Sequence, residues 1–329
     1  MSSNWNRARF PQGRSSGFYE SYFLRANHPT RALAFWIRYT SFCPAARPGE
    51  ARGELWAIYF DGESNAIAAA KQTVPLANCE FSPSELNVRI GSATLDAERL
   101  RGGAASSSRT IQWTLDYAGG QPPLLLLPES WYDRGVPKAK ALVGRPNAIF
   151  TGTLVVDGRT IAIDGWQGSQ NHNWGTQHTD RYAWGQVAGF DNAPGAFLEC
   201  STAQIKLGPL WSPRLTLVVL RLDDEEYAIN APLEWVRTSG RYEPFTWTIE
   251  TRTAGVNIQG RIHAAAGSFA GLTYDNPPGG SKTCLNTKLA GAEFTVTRSG
   301  RAPQTLVTRH RAAFEILTDT ADHGVPIVA

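Results

Sequence analysis

The chain has 329 residues, 42% hydrophobic and 19% charged, and a formal net charge of +3 from 32 basic and 29 acidic residues. That length suits two domains of moderate size, each able to bury its own core. The charge balance is weak and no Lys/Arg block stands out, which argues against a nucleic-acid partner; no run reaches the ~18 apolar residues of a membrane span.

Eleven Trp, ten Tyr and fourteen Phe stand against a single Met. Large stiff rings favour sheets and shaped apolar cavities over helical bundles. Cys43, Cys79, Cys200 and Cys284 are widely spaced and form no C-x-x-C pair, so free thiols in a reducing compartment are expected. The N-terminal "MSSNWNRARFPQGRSSG" has no apolar core of a secretory signal, and the expected location is cytoplasmic.

Strand signals dominate in chain order. "LAFWIRYTSF" (33–42) and "ELWAIYF" (54–60) are aromatic and β-branched, bounded by Gly and Pro, and apolar on both faces, as strands covered inside and out should be. "SNAIAAAKQ" has alanine-driven helix propensity, but it is short, lies between strands and ends at a proline, so a strand is expected. In "NAIFTGTLVVDGRTIAIDGW" the Asp157-Gly158 pair between two apolar runs is the best hairpin signal. Beyond residue 178, "YAWGQVAGF", "AFLECSTAQIKL", "RLTLVVLRL", "FTWTIE" and "TLVTRHRAAFEIL" continue the pattern. In "FTWTIE", Phe245, Trp247 and Ile249 alternate with polar residues. Eight or nine strands on each side of residue 178 predict an all-β chain of two tandem antiparallel barrels, residues 1–178 and 179–329.

The stretch "GSQNHNWGTQH" (168–178) reads as a connection crowded with two His, two Asn, two Gln and a Trp. His172 and His178 lie six apart without the Glu of a helical metalloprotease pair, so no metal is expected. No G-x-S-x-G elbow and no Gly-rich phosphate loop leading into a helix is present, which speaks against hydrolase, kinase and dehydrogenase chemistry. The structural alternative is a corner whose side chains satisfy backbone groups, with Trp174 plugging a barrel end.

"FYESYFLRANHP" followed by "ALAFWIRYT", "GELWAIYFD", "NHNWG" and "YAWGQ" resembles the carotenoid 1,2-hydratase (hydroxyneurosporene synthase) superfamily, which includes the AttH-type proteins; tocopherol cyclase and the fungal lipocalin-like Diels–Alderases look like more distant relations. The resemblance runs from about Phe18 to Phe314, its most specific element being His172-Asn173-Trp174-Gly175. It implies two lipocalin-like barrels, an apolar isoprenoid or polyketide-like ligand, and neither a metal nor an organic cofactor.

Hydrating or cyclising an alkene needs a proton donor in a dry cavity and aromatic faces for developing positive charge. The expected catalytic residues are His172, Asn173, Asp164 and Glu199. Trp166, Trp174, His178, Trp184, Glu20, Tyr22 and Tyr274 are expected to contact the ligand. Each carboxylate has a plainer reading. Asp164-Gly165 can be a turn, Asp180 a solvated residue, Glu199 half of an ion pair with an Arg, and Glu20 a barrel-mouth residue paired to Arg38. "TYDNPPGGSKTCLN" reads as a long loop that covers a cavity. The rival function is a carrier or sensor of apolar molecules without turnover.

Overall fold

The computed structural model describes residues 5–10, 17–320 and 322–329. Part of the N-terminal stretch read for a secretory signal therefore lies outside the described residues. The first sheet is built from β1 (Phe18–Asn27), β2 (Leu33–Cys43), β3 (Arg52–Asp61), β4 (Ala66–Pro75), β5 (Cys79–Phe81), β6 (Asn87–Ile90), β7 (Ala93–Asp96), β8 (Arg99–Ala105), β9 (Thr110–Ala118), β10 (Leu124–Leu125), β11 (Ala139–Val156) and β12 (Arg159–Gly175). Its order is β4-β3-β2-β1-β12-β11-β9-β8-β7-β6-β5, with β10 beside β11, and it curls into a nearly closed antiparallel barrel.

The second half holds β13 (Arg181–Phe190), β14 (Ala193–Gln204), β15 (Lys206–Leu207), β16 (Leu210–Trp211), β17 (Leu215–Leu222), β18 (Glu225–Ile229), β19 (Thr238–Glu243), β20 (Thr246–Thr251), β21 (Val256–His263), β22 (Ala270–Asp275), β23 (Ser281–Arg298) and β24 (Gln304–Thr318). β18-β17-β14-β13-β24-β23-β21-β20-β19 form the second sheet, β22 adds to β23, and β15 and β16 form a separate small hairpin. The architecture is a tandem lipocalin-like fold.

Period-two patterning accounts for the strands. In β9, Ile111, Trp113, Leu115 and Tyr117 are buried and alternate with exposed residues, the signature of a sheet with one wet face. β2 is buried at all eleven positions. Phe35, Ile37 and Tyr39 fill the first barrel. Ala34 and Trp36, on the other face, pack with Leu272, Tyr274, Cys284 and Leu317 of the second half. The alanine-rich segment is strand β4, paired to β3 throughout. Packing and ladder bonds override its helix propensity.

Asp157 and Gly158, both at positive φ (49° and 84°), turn β11 into β12, as a two-residue primed turn requires. Asp164-Gly165 is not a chain reversal. It is a bulge within β12: the pairing passes from Phe150↔Trp166 to Gly152↔Ile163, and Gly165 takes φ 64°, a left-handed conformation open to glycine at little cost. The segment 273–286, expected as a loop, lies in the β22–β23 hairpin and forms its turn. Cys43, Cys200 and Cys284 are buried, and Cys79 is half-buried.

Candidate functional site

The polar stretch after residue 167 is strand, not a corner. Gln167–Gly175 pairs with β1 on one side and β11 on the other. The ladder satisfies its backbone, so successive side chains are delivered to opposite faces.

One face closes the end of the first barrel. His172 stands opposite Tyr22 in register, and the two rings stack at 4.2 Å, with Trp174 at 4.6 Å on a tilted contact. His172 Nε2 lies 2.8 Å from Glu20 Oε1, and Nδ1 lies 3.2 Å from the Trp5 carbonyl. Glu20 also accepts the backbone N–H groups of Arg9 and Phe10. Glu20, Tyr22 and His172 are wholly buried. Both imidazole nitrogens are thus engaged and both ring faces covered. These three knit the N-terminal segment to the barrel end; of them only His172 also borders the cavity between the barrels, and Glu20 and Tyr22, expected to contact a ligand, do not line it. Glu20 pairs with His172, not Arg38.

Three further expectations fail on position. Asp164 is exposed at the bulge and lines no part of the inter-barrel cavity. Trp166 is packed inside the first barrel against Phe35 and Phe150. Trp174 belongs to a small cluster with Phe18, Tyr132 and Leu142, and Arg9 lies over its ring. Asp180 accepts the backbone N–H of Lys206 away from any cavity.

The other face of β12 looks across to the second barrel. Ser169 Oγ donates to Gln186 Oε1 at 2.7 Å. Gln186 Nε2 donates to Asn171 Oδ1 at 2.8 Å and to Glu199 Oε2 at 2.9 Å. Trp184 Nε1 donates to Glu199 Oε1 at 2.7 Å. β13 and β14 place these groups by register, Gln186↔Glu199 and Trp184↔Ser201, which puts Trp184, Gln186 and Glu199 on one face. Glu199 has no ion-pair partner among the described residues. Burial pushes its carboxyl up to about 7, and the Trp184 and Gln186 donors limit the rise.

Glu199 borders a cavity of about 430 Å³ between the two barrels. Tyr19, Phe23, Trp36 and Arg38 contribute from β1 and β2. Tyr182, Trp184, Tyr274 and Glu315 contribute from the second half. Leu126, Leu142, Leu215 and Leu217 contribute apolar wall, and Asn171, His172, Asn173 and His178 also border it. His178 lies against the Tyr19 ring at 4.0 Å and stacks with Tyr274 at 5.8 Å. Burial, with Arg38 nearby, lowers its pKa to about 3, so its imidazole is neutral at pH 7. Glu315 is matched by Lys288 Nζ at 2.8 Å and Asn286 Nδ2 at 2.9 Å. The sequence-named residues assembled here are therefore Glu199, Trp184, His172, His178, Tyr274 and Asn173.

Arg38, Trp36, Gln186 and Glu315 were not named from sequence as site residues. Alternation in "YAWGQ" could have placed Gln186 beside Trp184. Nothing local distinguishes a cavity-facing Arg38 from any other arginine. No group of three or more His, Cys, Asp or Glu among the described residues is arranged to hold a metal ion. No described helix is long and apolar enough to cross a membrane.

No family model matches the sequence. An uncharacterised protein of Mycobacterium tuberculosis, present in two strains, is 25% identical over 308 residues, 92% of this chain and 88% of its own. Among solved structures, an AttH-assigned protein of Nitrosomonas europaea superposes with TM-score 0.60 at 13% identity, covering 95% of this chain and 96% of its own. Kievitone hydratase of Nectria haematococca gives 0.54 at 12%, covering 97% and 96%. CghA gives 0.56 at 12%, covering 94% and 89%. At these identities the likeness is one of fold.

Proposed function

We propose that the chain is a cofactor-independent enzyme that adds water to, or closes a ring in, an apolar unsaturated molecule held between the two barrels. The observation that carries this reading is Glu199: a carboxyl with no cationic partner, fully desolvated, bordering an aromatic-walled cavity, and fixed by two N–H donors. A carboxyl raised to about 7 is protonated often enough to donate and basic enough to recover the proton. That kievitone hydratase shares this fold is in keeping with hydration.

Glu199 delivers its proton to an alkene or dienol carbon. Water, or a second double bond of the same molecule, bonds to the electron-poor carbon. The carboxylate takes back the proton released, so no net acid is consumed. Two effects decide which alkene is suited. Aromatic faces stabilise a nearby cation by roughly 2 kcal/mol. The unpaired Arg38 guanidinium penalises one by about 2 kcal/mol at 8 Å and an effective dielectric of 20. A free carbocation on an isolated alkene therefore gains little here. In an alkene conjugated to a carbonyl, water bonds to the β carbon as Glu199 delivers its proton to the α carbon, and the carboxylate then takes the proton the added water releases. The charge that develops, on the carbonyl oxygen, is negative, and this is the better substrate.

The test is incubation of the purified protein with a lipid and polyketide extract, followed by mass spectrometry of the recovered ligand. Native protein should return it heavier by one water, or equal in mass and changed in retention, and Glu199→Gln should bind it unaltered. Turnover undiminished in Glu199→Gln would overturn the proposal. An unaltered ligand from native protein after long incubation would favour the carrier reading.

A further inference from the structure

Among the described residues, three buried polar atoms on residues bordering the inter-barrel cavity have no hydrogen-bond partner: Trp36 Nε1, Arg38 Nε and Asn173 Oδ1. Two of them are donors, and both sit on one face of β2, two residues apart. Trp36 is 1% exposed and Arg38 5%. Arg38 lies over the Tyr274 ring at 4.6 Å, and its one side-chain acceptor is Ser21 Oγ at 2.7 Å. No carboxylate lies within ion-pair distance of it among the described residues. The nearest acids are committed elsewhere, Glu315 to Lys288 and Glu54 to Arg52 and Lys71.

A buried guanidinium without a counter-charge is unfavourable unless something supplies one. Local hydrogen bonding does not: Ser21 is neutral. His178 is uncharged at neutral pH, Glu199 is only partly ionised and makes no ion pair with Arg38, and the Lys288–Glu315 pair is self-compensating. Two cations thus border the cavity without an ion-pair partner among the described residues, Lys140 and Arg38. Lys140 Nζ donates to the Pro137 carbonyl. Arg38, which Glu54 and Glu315 hold in its charged form from beyond ion-pair distance, lies two residues from an indole N–H, with leucines and aromatic rings in the wall.

We propose that Trp36 and Arg38 form an anchor for an anionic oxygen, so that the ligand is an apolar body ending in a carboxylate, phenolate or enolate. Arg38 gives the charge and a directed N–H, Trp36 a second donor, and the leucine-lined region takes the hydrocarbon. Glu199 then meets the carbon skeleton, not the acidic head. The inference rests on the reading that this cavity is the ligand site, and not on proton transfer at Glu199.

The test compares two dyes that share one skeleton, 8-anilinonaphthalene-1-sulfonate and the uncharged N-phenyl-1-naphthylamine, titrated by fluorescence to one bound molecule per chain. Native protein should bind the sulfonate at least tenfold more tightly than the neutral dye. Arg38→Met should lose at least tenfold for the sulfonate and less than twofold for the neutral dye, and Arg38→Lys should keep part of the preference. Trp36→Phe, which keeps the ring and removes the N–H, should weaken the sulfonate alone by a few fold. If Arg38→Met does not fold, Arg38→Gln gives the same readout. Equal binding of the two dyes by native protein, no binding of either, or a preference that survives both Met and Gln overturns the anchor. Glu199→Gln should leave the preference in place, so this result and the turnover result fail independently.

Discussion

Glu199 shows how one residue's surroundings convert an ordinary acid into a reagent. The ionised form of a buried carboxyl loses hydration, and two neutral donors replace only part of it. In the unfolded chain the group ionises near 4.5, in the folded chain near 7. Between those values the unfolded state gives up its proton first. The stability associated with the protonated group is therefore complete below pH 4.5 and declines up to about pH 7, by on the order of 3 kcal/mol. Glu199→Gln should flatten that slope in urea titrations run from pH 4.5 to 7.5. With Glu199 as donor, kcat/KM should fall as pH rises through about 7. Trp184→Phe, which removes a donor that favours the carboxylate, should move that limb to higher pH. A pH–rate profile whose limb stays put in Trp184→Phe would separate the limb from Glu199.

At the scale of the element, β12 is the strand that decides the site. Its bulge at Asp164-Gly165 inserts a residue and resets which face its later side chains address. Beyond it, Ser169, Asn171 and Asn173 meet the second barrel, while His172 and Trp174 enter the end of the first. Gly165 holds φ 64° there. Gly165→Val, β-branched in a left-handed conformation, should cost about 1–3 kcal/mol, measured as a lowered urea midpoint with unchanged slope. Because the bulge sets the register of the site strand, ligand binding should weaken as well. The pairing of His172 with Glu20 and Tyr22 predicts that His172→Ala acts chiefly on stability. A variant stable enough to purify should retain proton transfer, which single-turnover kinetics would show.

At the scale of the whole molecule, the cavity exists because two barrels meet along outward faces of β1, β2, β12, β13, β14 and β24 that are too apolar and too hydrogen-bonded to be solvent surfaces. Arg25 pins that seam. It is wholly buried and donates to Asn27 Oδ1 and to the carbonyls of Gln186 and Arg311 in the second barrel. Asn27 reaches the carbonyls of Lys288 and His310 in the same way. Arg25→Ala strands two buried carbonyls and should cost about 3 kcal/mol. Differential scanning calorimetry should show the single unfolding transition broadening or splitting as the barrels uncouple. Ala203→Trp, placing an indole on a cavity-lining position, should exclude both dyes and leave the far-UV spectrum unchanged.

Alternation of apolar and polar residues, the Asp157-Gly158 turn and the double-faced apolar strands were enough to specify two all-β barrels, because strand formation answers to local period and turn chemistry. The same local information named Glu199 and Trp184 as candidate site residues. It misassigned "GSQNHNWG" to a corner, since polar richness marks a loop wherever a sheet face is assumed to be either dry core or open water. Here the face is neither: it is a buried polar seam between barrels, and only docking of the second sheet creates it. Closure of the first barrel decided that Trp166 is core and that His172 is sealed by Glu20, and docking decided that Arg38 stands before a cavity, because each depends on contacts between segments more than a hundred residues apart or on the absence of such a contact. Chain order carries the period of a strand; the burial of a charge is a property of everything that surrounds it.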